Sequence, residues 1–214
     1  MRRRAPEPQI RRPMPPAQMV EDSRHRERFA PAPEVTEWIR TMILSDDGPL
    51  FNPEHYHLVE AQIGVLWTSA ENTRQMRSIA GTAEIPDIKG TRWSKAKERF
   101  WLREWFEEIP DVLITLDAVY CASMADVSWC ALVEHELYHC AQRLDHEGEP
   151  MTDVDGNPLF TIRGHDVEEF VGVVERYGTV GANVGRLVAA AQKRPSVAPA
   201  EITMACGTCL RMVA

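Results

Sequence analysis

The pentapeptide His135-Glu136-Leu137-Tyr138-His139 constrains this chain more than any other feature. Two imidazoles four residues apart converge on one point only when the backbone is helical, because a turn rises about 5.4 Å. The glutamate beside the first histidine is then rotated by about 100°, too far round to be a third ligand but able to reach a water held there. The segment must therefore be a helix with a sheet to lean on. Its surroundings comply: residues 111–120 are a β-favouring run that predicts a strand, CASMAD is a short link, and an apolar helix follows from about Val127 to about Leu144. Ser123 or Asp126 is the expected cap.

Two histidines hold zinc only with a further protein ligand, and catalysis needs a position left open for water. A ligand from the next turn requires a glycine three residues after His139 to swing the chain, but position 142 is Gln, so Asp145 is set aside. His146 lies about 10 Å further along a continuing helix, too far to share the ion. Downstream, turn residues Asp155-Gly156-Asn157-Pro158 lead into a short strand, LFTIR, and a helix beginning near Asp166. The Asp153-x-Asp155-Gly156 spacing suggests calcium, but the other loop ligands are missing and a hairpin turn is the better reading. His165 or Glu169, at the start of the helix, completes the set: three histidines in one case, two histidines and a carboxylate in the other.

His135-Glu136-Leu-Tyr-His139, followed by Gly164-His165-Asp-Val-Glu-Glu-Phe170 and Glu175-Arg-Tyr-Gly178, resembles the putative phage metallopeptidase family and, more distantly, the SprT-like zinc proteases. The resemblance spans about residues 34–180. It lacks the four-cysteine ribbon of the SprT-like proteins and has an extra residue between His165 and Phe170. It implies a minimal zincin-like α+β fold: a small, mostly antiparallel sheet, the helix of residues 135–139, and a following ligand-bearing helix. It implies Zn2+ held by His135, His139 and His165, and Glu136 as general base of a peptidase acting on a protein or peptide substrate through zinc-activated water. Tyr177 or Arg163 would help the oxyanion, and the strand from Val112 would either offer an edge to an extended peptide or be plain core sheet.

The rest of the chain supplies scaffold and tails. Val35, Trp38, Ile39, Met42 and Ile43 repeat at helical spacing, residues 60–67 read as a helix or the lead into a strand, and 78–86 as a strand. Residues 89–108 predict an amphipathic helix whose Phe100, Trp101 and Trp105 stripe faces the core and whose basic face is solvated. Residues 1–33 hold seven prolines and few large apolar side chains, so they are expected as a disordered arm. The domain is expected over 34–193 and a second tail over 194–214, where Cys206 and Cys209 form a Cys-x-x-Cys pair read as ordinary thiols ahead of a zinc half-site or a redox pair, since no second pair lies nearby.

The net charge of −8 is a +4 over residues 1–30, from eight arginines against four acids, on a body of −12. Nucleic-acid association would thus come through the arm, which leaves a DNA-associated protein or a non-catalytic zinc module as alternatives to a peptidase. No run of about 18 apolar residues predicts a membrane span, no secretory signal is evident, and an odd count of five cysteines fits a cytoplasmic setting.

Overall fold

The structure, a computed structural model, describes residues 10–21, 26–74, 77–86, 88–167, 174–175, 178, 184–200 and 205–206. Eight strands lie among them: β1 (Phe29–Pro31), β2 (Ile63–Thr68), β3 (Thr73–Arg74), β4 (Arg77–Glu84), β5 (Val112–Asp117), β6 (Cys140–Gln142), β7 (Phe160–Ile162) and β8 (Ala205–Cys206). The main sheet runs β1-β2-β5-β4-β3, with β8 also on β4, and β6 pairs with β7 in a separate ribbon. β1–β2, β4–β5 and β3–β4 are antiparallel, whereas β2–β5 and β4–β8 are parallel. The sheet, expected to be mostly antiparallel, has three antiparallel pairings and a parallel pair, β2–β5, at its centre, because a long connection carries the chain from β2 to β5 with β4 placed beyond it. The mixed α+β class stands.

β2 and β5 are buried on both faces, and their side chains divide by alternation. Ile63, Val65 and Trp67 join Val112, Ile114 and Leu116 in the principal core, while Leu66 and Leu113 face the other way. The principal core takes Met19 from the short helix α1 (Ala17–Glu21), Val35, Trp38 and Ile39 from helix α2 (Pro33–Ile39), and Ile43 from the wider π-type turn Arg40–Leu44. Below β5, Asp117 caps the short helix Ala118–Ser123 by accepting from Tyr120 N at 2.9 Å, so β structure ends earlier than Tyr120. β5 is paired on both sides, so it offers no edge to a peptide; its neighbour β4 carries β3 and β8 on its far side.

The helix of residues 135–139 is Asp126–His139, here α3. Neither expected cap is used: Asp126 takes the Arg12 guanidinium at 2.9 Å, and Ser123 Oγ donates to Tyr120 O. Nor does the helix reach Leu144. Cys140 turns extended and pairs with Ile162 as β6 begins, so long-range pairing with β7 overrides the local apolar pattern. The Asp153 turn is a hairpin turn, its Oδ1 accepting from the backbone N of Asp155 and Asn157, each at 2.9 Å.

Helix α3 is seated by Trp129, fully buried, with its ring centroid 4.8 Å from that of Trp38 and Arg12 stacked 5.7 Å above it. Trp129→Ala is expected to cost about 3–5 kcal/mol, read as a lower denaturation midpoint; a loss below about 1 kcal/mol would show that the pair does not anchor the helix.

Two further expectations fail. The arm is expected to be disordered over 1–33, but its described part packs on the body: Met19 lies in the core, β1 pairs with β2, and Trp38 Nε1 donates to Arg11 O. Arg12, its side chain only 3 % exposed, also donates to Met124 O. A few anchors suffice because the prolines already restrict the unfolded arm and lower the entropy cost of ordering it. The basic helix Arg92–Phe106 does form, but it buries only Leu102, while Phe100 and Trp101 are 55 % and 50 % exposed. The sheet face beneath it supplies little more than Leu66 and Leu113, too narrow a patch for the whole aromatic stripe. The expected helix from about 166 falls largely on residues 168–173, outside those described. No helix among the described residues is long and apolar enough to cross a membrane.

Candidate metal centre

His135, Glu136 and His139 occupy the end of α3, where the helix stops against the β6–β7 ribbon. The ribbon brings the chain back to this terminus. Arg163 N donates to His139 O at 3.0 Å, and His139 Nδ1 donates to Arg163 O at 2.7 Å, so one residue clamps both backbone and ring. The second bond puts the proton on Nδ1 and turns the Nε2 lone pair toward the cluster. Two residues later, past Gly164, His165 arrives.

The three rings converge. His135 Nε2 is 3.3 Å from His139 Nε2 and 3.2 Å from His165 Nε2. Nitrogens bound tetrahedrally at about 2.0–2.1 Å stand about 3.3 Å apart, so both spacings from His135 suit a metal ion of that bond length. Burial in company with the other two histidines lowers the His135 pKa to about 4, and burial also lowers that of His139. Both rings are then neutral near pH 7, as metal ligands must be.

A fourth group joins them, from the pair read as ordinary thiols ahead of a zinc half-site. Cys206 Sγ stands 3.3 Å from His139 Nε2, and the four ligand atoms of His135, His139, His165 and Cys206 all lie within 4.8 Å of one another, a group that could hold a metal ion. The Cys-x-x-Cys pair was the available signal, but local spacing carries no trace of the β4 pairing that brings Cys206 here. Cys209, Glu169 and Tyr177 lie outside the described residues, and His146 is exposed and away from the cluster. The thiols of Cys121, Cys130 and Cys140 are pushed up to about 12 by burial, as expected of inert core cysteines.

Glu136, about 100° round the helix from His135, lies against β4 at Gly81 and is 0 % exposed. Gly81 makes this possible: a Cβ there would meet Glu136 Oε1 at 3.0 Å and Cγ at 3.2 Å. The outer flank of the helix is fixed from the 52–57 loop, where Asn52 Nδ2 donates to Glu134 Oε1 at 2.8 Å and Tyr138 Oη at 2.9 Å. His57 Nε2 donates to Cys140 O at 2.7 Å, holding the helix end. In front of the histidines lies a cavity of about 190 Å³ lined by Tyr138, Arg163, Gly164 and Asp166 as well as the three rings. The Arg163 guanidinium stacks 5.7 Å from the Tyr138 ring and contacts Asp166 at 3.2 Å.

A family described as putative phage metallopeptidase matches this chain over residues 36–192. That span holds the three histidines and Glu136 but not Cys206. No curated protein and no solved structure matches the chain.

Proposed function

The chain belongs to the putative phage metallopeptidase family, and from that premise we propose that it is a zinc-dependent endopeptidase with His135, His139 and His165 as ligands and Glu136 as general base. The observation that carries the reading is the convergence of three imidazole Nε2 atoms beside a carboxylate held on the same helical turn. When bound, zinc supplies a Lewis acid that lowers the pKa of water and polarises a carbonyl. Glu136 takes the proton of the attacking water and passes it to the leaving amine. His139 keeps its tautomer through the Arg163 carbonyl. Arg163, on the cavity wall, offers a cation to the developing oxyanion. The substrate is a protein or peptide.

Elemental analysis of the purified chain tests the centre, with one zinc per chain expected; its absence removes the enzymatic reading. The third ligand is decided by His165→Ala against Glu169→Ala. The first should weaken zinc by more than the roughly 10–100-fold that loss of a supporting hydrogen bond costs, and the second should leave it bound. Full-affinity zinc in the His165 variant would exclude His165. One observation favours a non-catalytic metal module instead, namely the fourth donor, Cys206.

A further inference from the structure

We propose that Cys206 is the fourth metal ligand and that the strand carrying it closes the site, so that the chain folds in a latent form. The inference rests on the zinc-peptidase reading and extends it to regulation. Three histidines and a thiolate complete a tetrahedral set, and a complete set leaves no position for the water that hydrolysis needs.

The thiol reaches this place by backbone pairing. Ala205 and Cys206 align in parallel with Ile79 and Gly81 of β4, with an irregularity between the two registers. Gly81 is also the residue whose missing side chain admits Glu136. Cys206 is therefore delivered to the strip of sheet that Glu136 faces. Its Sγ lies 3.3 Å from His139 Nε2 and 3.8 Å from Glu136 Oε2, so one sulfur spans the ligand set and the base. A water must occupy that same gap to lose its proton to Glu136. The cavity in front of the histidines is lined by neither Glu136 nor Cys206, and Glu136 has no exposed surface. The ligands are thus reachable from outside while the base is sealed.

Closure and opening balance simply. The thiol proton passes to solvent as the sulfur–metal bond forms, and opening returns the proton to sulfur as that bond breaks. Two residues of strand are a weak hold on a sheet edge. An extended peptide pairing with the same edge of β4 competes for it directly, which makes substrate itself the displacing ligand.

The test compares the full-length chain with Cys206→Ala, each loaded with cobalt. Thiolate-to-cobalt charge-transfer absorption is expected in the parent and not in the variant, with one cobalt retained by both. Acetohydroxamate should then alter the cobalt spectrum of the variant only, because only there is a position open. Zinc-loaded Cys206→Ala should cleave casein at least about tenfold faster, since a closed state holding nine chains in ten leaves a tenth competent. Cobalt bound by the parent without the charge-transfer band overturns Cys206 ligation and leaves the peptidase reading intact. Equal responses to acetohydroxamate overturn closure. A variant that binds metal and acetohydroxamate but cleaves nothing overturns the peptidase reading and latency with it, though not ligation. Failure of both proteins to bind metal overturns the whole centre.

Discussion

Glu136→Gln is expected to keep one zinc per chain while losing peptide hydrolysis by about 10²–10⁴-fold, the range that a positioned general base supplies. The substitution is close to isosteric, which matters at a side chain with no exposed surface lying against the β4 backbone at Gly81. An alanine would open a cavity and confuse lost chemistry with lost packing; the amide keeps the shape and removes only the ability to take a proton. Glutamine also contributes nothing to the ligand set, so metal content separates the two roles cleanly. The comparison belongs in both the parent chain and the Cys206→Ala background, so that closure by the thiol does not hide the loss. Hydrolysis within a few-fold of the parent, with zinc bound, would mean that Glu136 is not the base and that another group activates water.

Helical periodicity and chemistry together made most of this centre readable before any fold was known. His135, Glu136 and His139 are one local motif, and locality is what sequence records. His165 is thirty residues away, yet its candidacy could be argued because the strand Phe160–Ile162 and the turn before it were visible as turn residues and β-formers. Residue types and spacing leave His165 and Glu169 both open, and the resemblance implies His165. His165 is brought to the other two rings by the pairing of Cys140 with Ile162 and by the Arg163 clamp on His139, while Glu169 lies outside the described residues. The same pairing explains why the helix was drawn too long: Cys140, Ala141 and Gln142 are compatible with a helix, and only a partner strand makes them extended.

The failures share a cause. Phe100 and Trp101 sit at core-like spacing on their helix, but spacing says which side chains share a face and not whether a face has anything to pack on. Arg12 reads as one of many arm charges, yet it is held by Asp126 and Met124 O over the Trp129 ring. Cys206 is the extreme case. Seventy residues from Glu136, it becomes chemically relevant through two bridges to β4. In each instance the deciding partner is distant in sequence, and composition cannot name it.

Removing the metal should cost stability as well as activity, and His139 is the residue through which both losses run. It is almost fully buried, its ring and backbone are both tied to Arg163, and its Nε2 is 3.3 Å from both His135 Nε2 and Cys206 Sγ. A ligand that binds only the folded chain stabilises it by about 4 kcal/mol at a free concentration of 1,000 times Kd. For a chain of this size, about 2–4 °C per kcal/mol makes that a fall of about 8–16 °C in Tm on chelation. His139→Ala should bind no metal, hydrolyse nothing, melt below the chelated parent because its ring packing and bond to Arg163 are lost as well, and ignore chelator. His146→Ala, altering an exposed histidine away from the cluster, should behave as the parent does with and without chelator. A parent whose Tm is unmoved when its zinc is stripped would show that α3, β7 and the Cys206 strand hold their places without the ion, and that the centre is built by the fold alone.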